Sequence, residues 1–209
     1  MKSSPAVEAR PYHHGDLRRA LVDAARRLLE AEGQSALSLR AVAREAGVSP
    51  AAPYHHFKDK AQLLDAVAHE GWELLDAAMG RAKAQAASVL GALSEVGVAY
   101  VCFARDNPAL YRVMYDTARD QSRLPDRVQA QEDGAYCKVR GALIEAGADP
   151  AKTLELELST VAAWCSAHGL AEMAGFKQFE GLKDACGGEA AFFHAVFRRM
   201  GVVRTAVDQ

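Results

Sequence analysis

Residues Ser38 to Phe57 read SLRAVAREAGVSPAAPYHHF, and the pattern of that stretch decides the fold. Ser38 carries the side chain of a helix N-cap, and Leu39, Val42, Ala43 and Ala46 follow at helical spacing, which gives one apolar stripe. Gly47 ends this helix, because a residue without a Cβ adopts the left-handed conformation that commonly follows a last helical turn. Val48 can then drop back onto the core. Ser49 offers a second N-cap, and Pro50 suits a first helical position, where an N–H would have had no intrahelical partner. Ala43 is small enough for two helices to cross closely, and the stretch reads as a helix-turn-helix. One residue is out of tune with that reading. Pro53, the fourth position of a second helix running from Pro50 to about His56, removes the first intrahelical N–H and predicts a strained or 3₁₀-like start.

The second helix has the composition of a surface that meets double-stranded DNA. In such a motif it enters the major groove, its first residues reaching base edges while flanking groups hold phosphates. Ala51 and Ala52 are small enough to touch a thymine methyl, Tyr54, His55 and His56 carry donors, and Lys58 and Lys60 follow. No Arg, Asn or Gln lies within it to read a base bidentately. The expected DNA-contacting set is Ser38, Arg40, Ser49, Ala51, Ala52, Tyr54, His55 and Lys60.

Charge is distributed to match. Residues 1–60 hold ten Lys/Arg and seven Asp/Glu, net +3, so the total of 25 against 27 leaves net −5 for residues 61–209. Phosphates attract the basic part and repel the acidic one. Half the residues are apolar, alanine and leucine abound and β-branched runs are scarce, which predicts an all-α protein with a sizeable core. No run is apolar for the roughly 18 residues a membrane helix needs, and MKSSPAVEARPYHHGD lacks a secretion signal, so the expectation is a cytoplasmic protein without a membrane partner. Cys102, Cys137, Cys165 and Cys186 are widely spaced, with no C-x-x-C pair, and are expected as reduced, mostly structural thiols. Enzyme signatures are missing: no H-E-x-x-H, no Glu-x-x-His pair at metal spacing, no G-x-S-x-G and no phosphate loop. Adjacent His55 and His56 point about 100° apart on a helix and cannot readily share a metal. The reading is no enzyme, no metal and no cofactor. An interaction module whose motif no longer touches DNA is the remaining alternative, against which Tyr54, Lys60 and the charge split argue.

Outward from the motif, residues 1–12 contain Pro5 and Pro11 and predict a flexible arm, with Lys2 and Arg10 as its cations. Asp16 opens a helix in which Leu17, Leu21, Ala24, Leu28 and Leu29 form a stripe, with Arg18, Arg19, Arg26 and Arg27 near its wet side and Gly33 as its stop. This helix braces the two helices of the motif. Asp59 can cap a long helix from Lys60 to about Lys83, whose inner face is Leu63, Leu64, Val67, Trp72, Leu75 and Met79. Helices follow near 87–105, 108–116, 126–146, 150–174 and 188–203, separated by Asn107-Pro108, Leu124-Pro125, Gly147 to Pro150 and Gly187-Gly188. The 150–174 and 188–203 helices are apolar over more than one face and need burial on two sides, which either a second copy across a two-fold axis or a plain core position would supply. The domain division expected is 1–12, 13–60 and 61–209.

Tyr12-His13-His14-Gly15-Asp16-Leu17-Arg18, SLRAVAREAGVS and AAPYHHFKDKAQLL resemble the DNA-binding half of TetR-type transcriptional regulators, over roughly residues 12–70. Trp164, His168 and Gly169 in AWCSAHGLAEM are similar to the Trp-x-x-x-His-Gly pattern of one subgroup's carboxy-terminal domain. The resemblance implies a homodimeric repressor that leaves a palindromic operator when a small-molecule effector binds the helical second domain. It also implies that Tyr100, Phe103, Tyr111, Met114, Tyr115, Trp164 and His168 line the effector cavity, although each also fits an ordinary core position. For His168 the alternative is structural, a bond to the backbone that holds a bend at Gly169.

Overall fold

Leu21, Ala24, Ala25, Leu28 and Leu29 recur at intervals of three and four, and in the computed structural model they form the buried face of α1 (His14–Glu32). The structure describes residues 14–119 and 134–199. Tyr12 and His13, the expected arm, the Leu124-Pro125 break, the start of the 126–146 helix and residues 200–203 of the last helix lie outside the described residues. Among the described residues there are nine α-helices, two 3₁₀ turns and no strand. They divide into two compact units between Val67 and Ala68.

In the first unit α1 stops at Gly33, whose φ of +79° carries the chain out of the helix. It packs on α2 (Leu39–Glu45). Val42 and Ala43 of α2 are buried with Leu37, Leu39, Phe57 and Leu63, and full burial of each large apolar side chain contributes about 1.5–3 kcal/mol. Ser38 caps α2 through its Oγ, which accepts from the Ala41 amide at 3.1 Å. At the other end Val48 N donates to Ala43 O (2.9 Å) and Gly47 N to Arg44 O (3.2 Å), with Gly47 at φ +69°. That pair of bonds is a Schellman cap, and it turns the chain where the sequence predicts.

The second segment of the motif is not an α-helix. It forms a 3₁₀ turn, Ala52–His55, with Ala52 N to Ser49 O (3.0 Å), Tyr54 N to Ala51 O (3.1 Å) and His56 N to Pro53 O (2.9 Å), and one i→i−4 bond, Phe57 N to Pro53 O (2.9 Å), closes its end. Pro53 lacks the N–H that would start an i→i−4 ladder, and its effect spreads beyond the strained start expected of it. Ser49 is correspondingly no side-chain cap: its carbonyl is used instead, and Ala51 precedes the turn without a capping side chain.

Helix α3 (Lys60–Gln85) opens with Asp59 Oδ1 accepting from Gln62 N at 2.8 Å, while Gln62 Oε1 accepts from Lys58 N at 2.7 Å. The second unit centres on α4 (Val89–Asp106), capped by Ser88, whose Oγ accepts from Gly91 N at 3.0 Å. Around α4 pack α5 (Pro108–Arg119), α6 (Ala135–Glu145), α7 (Thr153–Met173) and α9 (Glu189–Arg199). A 3₁₀ turn (Lys177–Phe179) and α8 (Glu180–Ala185) precede α9, between the helices that the sequence predicts near 150–174 and 188–203. No helix among the described residues is long and apolar enough to cross a membrane.

Candidate functional site

The 3₁₀ turn has an inside and an outside. Pro53 and Phe57 are buried, and Tyr54 between them is 54% exposed, with Ser49, Pro50, Ala51 and His55 exposed beside it. Ala52 is half-buried. Ser38 and Arg40 at the start of α2 are exposed as well. Lys60 is half-buried, and its Nζ donates to the carbonyl of Gln34 at 2.8 Å, which ties the start of α3 to the loop after α1 while leaving two of its three donors. The α1 arginines are partly committed inside the unit: Arg18 stacks over the Phe57 ring at 5.4 Å, and Arg27 Nε donates to Glu45 at 2.8 Å. The result is an exposed tip bearing hydroxyl, imidazole and methyl groups above a buried Pro53 and Phe57. That is the chemistry of groove contact.

The second unit gathers its aromatics at one place. The hydroxyls of Tyr100 and Tyr111 lie 3.1 Å apart, Tyr100 also meets the Tyr115 hydroxyl, and His168 Nδ1 is reached by Tyr100 at 3.2 Å and by Tyr111. Trp164 stands edge-on to Tyr100 at 5.2 Å between centroids and stacks on Trp72 at 6.2 Å, and Trp72 meets Tyr115 at 5.4 Å. Desolvation by burial, reinforced by the neighbouring Tyr115 and Tyr111, holds the Tyr100 phenol far above its ordinary value. Burial likewise raises Tyr111 and Tyr115. All three phenols are therefore neutral donors. An imidazole with its proton on Nε2 offers Nδ1 as the acceptor on which two of them converge.

The amino-acid sequence matches known families over both units. Residues 21–67 match the model described as bacterial regulatory proteins, tetR family, and residues 93–200 match the model of a Tetracyclin repressor-like, C-terminal domain. The chain belongs to the TetR family. It is 51% identical over 47 residues to the HTH-type transcriptional regulator BetI of Rhizobium meliloti (strain 1021), a match spanning 22% of this chain and 23% of that protein. A solved structure of a protein with unknown function from Rhodococcus sp. RHA1 is 31% identical, with a TM-score of 0.73 over 94% of this chain and 98% of that one. A TetR family transcription regulator from Marinobacter aquaeolei VT8 shares the fold, with a TM-score of 0.62 at 21% identity over 88% and 95% of the two chains. The protein is thus a transcriptional regulator with a DNA-binding helix-turn-helix.

In this TetR-family chain, five of the seven residues expected to meet an effector, Tyr100, Tyr111, Tyr115, Trp164 and His168, form one connected cluster. Met114 is fully buried against Gly71, where a Cβ would stand 2.6 Å from its sulfur, and Phe103 is buried with no described tie to the hydroxyl network. The α7 helix continues through Gly169 to Met173, and His168 Nδ1 bonds to hydroxyls instead of backbone. Sequence reasoning missed Trp72, whose position on the α3 stripe reads as plain core, and Tyr136, which lies 6.0 Å from Trp164 and donates to Glu157 at 3.0 Å. Arg140 donates to the same carboxylate at 2.8 Å; these two bonds lower Glu157, while burial and Glu157 push the Tyr136 phenol up to about 12. Elsewhere Lys183, 8% exposed, is clamped by Glu180 (2.9 Å) and Glu189 (3.0 Å), and Arg105 reaches Glu189 from α4. Burial alone would raise Glu189, but the bonds from Lys183 and Arg105 outweigh it and hold the carboxyl below its ordinary range. No group of three potential metal ligands occurs among the described residues.

Proposed function

We propose that this regulator is a homodimeric repressor that leaves a palindromic operator when a small molecule occupies its second unit. The observation that carries the reading is Tyr54, exposed on a turn whose flanking Pro53 and Phe57 are buried. A tyrosine presented so is available to a partner. With Tyr54 we assign Ser38, Arg40, Ser49, Ala51, Ala52, His55 and Lys60 to the DNA contact, residues 13–60 to the DNA-binding domain and 1–12 to an arm preceding it. Residues 61–209 form the effector-binding and dimerisation domain, and the protein works in the cytoplasm.

The second copy is supported by α7. Leu154 (73% exposed), Leu158 (61%) and Val161 (47%) leave an apolar stripe on one side of that helix, continued by exposed Ala162 and Cys165, while Leu156, Thr160, Ala167 and Leu170 are buried on the other. Such a stripe at helical spacing is the material of a two-fold helix contact, to which we add α9, packed like α7 on α4. The effector site is supported by the Tyr100–Tyr111–Tyr115–Trp164–His168 cluster, to which we add Phe103 and Met114. Selection of bound sequences from random DNA tests the whole reading. A palindrome with half-site centres about 34–36 Å apart, or a multiple, is expected. Recovery of unpaired sites, or of no enriched sequence, refutes it.

A further inference from the structure

Tyr100 and Trp164 also line a small cavity walled by Met79 of α3, Leu93 of α4, Val139 of α6 and Phe197 of α9. Its space is about 30 Å³, enough for a water or two. Two features make it more than a packing defect. The first is its lining, which holds no charged side chain among the described residues; of its two serines, Ser166 spends its hydroxyl on Ala162 O at 2.8 Å. The second is the seat of Phe197. Its ring lies on the α4 backbone at Gly97, where a Cβ would stand 2.7 Å from both Cε1 and Cζ. Only glycine lets the ring reach that depth. Phe197 is nonetheless half-exposed, whereas Phe192 and Phe193 on the same helix are buried and anchor it. The ring can therefore swing outward by side-chain rotation without uprooting α9.

We propose that Phe197 is the plug of a latent site, and that an uncharged, apolar ligand of about one ring in size takes the place of its phenyl group on Gly97. The inference rests on the effector-responsive reading above, and it names both the chemical class and the residue that ligand displaces. Existing space plus the vacated ring approaches the scale of about 150 Å³ at which a dry protein cavity accepts benzene. An ionised group entering the same lining would lose its hydration and meet no charged side chain among the described lining residues, so acids and amines bind there less well than a neutral ring. The ligand would press on Trp164 and Tyr100, and so on the network beyond them.

The test uses the full chain without DNA and three isosteric probes: toluene, benzoate and benzylammonium. Heat of binding and tryptophan emission are both read, since the chain's two tryptophans, Trp72 and Trp164, stack on each other and Trp164 lines the cavity. Phe197→Ala is expected to bind one toluene per chain at least about tenfold more tightly than the wild type, with Phe197→Leu in between and no saturable binding of either charged probe. Equal toluene affinity in wild type and both variants overturns the plug, as does binding of benzoate or benzylammonium as tight as that of toluene. Phe197→Leu keeps the test decisive if the alanine variant does not fold. Because binding is read directly, failure here removes the plug and leaves the repressor reading to stand or fall on its own selection experiment.

Discussion

Replacing Gly47 by alanine isolates the turn on which the DNA-binding unit depends. Nothing lies within 4 Å of a Cβ built at Gly47, so the new methyl meets no neighbour and the cost is that of the backbone alone. At φ +69° an L-residue has its Cβ against the following carbonyl, worth about 1–2 kcal/mol, while the stiffer unfolded chain of alanine offsets about 0.4–1 kcal/mol. The net loss expected is about 1 kcal/mol, a factor of about five in the folded-to-unfolded ratio. Gly33 is a matched control, with φ +79° and open space around it, and Gly33→Ala should cost about the same. Gly47→Asn should restore most of the loss, because asparagine visits the left-handed region readily. The assay is amide exchange at Val48, whose N–H donates to Ala43 O across the turn, together with urea unfolding followed by circular dichroism. Tyr54→Phe, by contrast, should weaken DNA binding and leave both stability readouts unchanged. Gly47→Ala with undiminished Val48 protection, or an asparagine variant as unstable as the alanine one, would refute the argument.

Three further outcomes follow from named contacts. Lys60→Ala should weaken binding to specific and random DNA alike and flatten the plot of log affinity against log salt by about one unit, since each phosphate contact releases about 0.9 counterion; an unchanged slope removes Lys60 from the phosphate contacts and leaves only its bond to Gln34. Because burial raises the phenols of Tyr100, Tyr111 and Tyr115, the folded chain keeps protons that the unfolded chain releases near pH 10. Their stabilisation is thus complete below about pH 10 and lost as pH rises beyond it, and phenolate absorbance should show these tyrosines ionising only with unfolding; ionisation ahead of the loss of helix would contradict it. Leu158→Glu, at a position 61% exposed, should turn a dimer into a folded monomer by light scattering, and a variant that stays dimeric excludes the α7 stripe as the contact.

Local chemistry made most of the fold legible. Ser38, Gly47 and Asp59 act where they stand, through bonds to backbone three residues away, so a reader of the chain needs no tertiary knowledge to place α2 or the start of α3. The α1 stripe is legible for a similar reason, since burial follows the helical period. Pro53 shows the limit. Its missing N–H is visible in the sequence, but that only one i→i−4 bond, Phe57 N to Pro53 O, follows the 3₁₀ turn is not. Helix α8 was hidden by its own shortness: Glu180–Ala185 has glycines within and around it, at 175, 181, 187 and 188, and loop composition outweighs a period that spans barely two turns. Lys183 reads as a surface lysine until Glu180 and Glu189 close on it.

The site divides along the same line. Aromatic residues could be counted in the sequence, but their roles follow from which hydroxyls converge, and Tyr100, Tyr111 and His168 are brought together from α4, α5 and α7. That convergence bears on how an effector could act. Tyr100 shares its hydroxyl with three partners, so a ligand that takes a bond from it, or shifts its ring, strips Tyr115 of that bond and leaves Tyr111 and His168 to each other. The network therefore favours discrete arrangements over gradual displacement. Tyr100 lies on α4, the helix against which both α7 and α9 pack, and those are the helices proposed to meet a second copy. An effector can move the regulator only by the difference in its affinity for two such arrangements. A cluster already closed by its own hydrogen bonds makes that difference large for a ligand that must open it, and near zero for one that binds elsewhere on the surface.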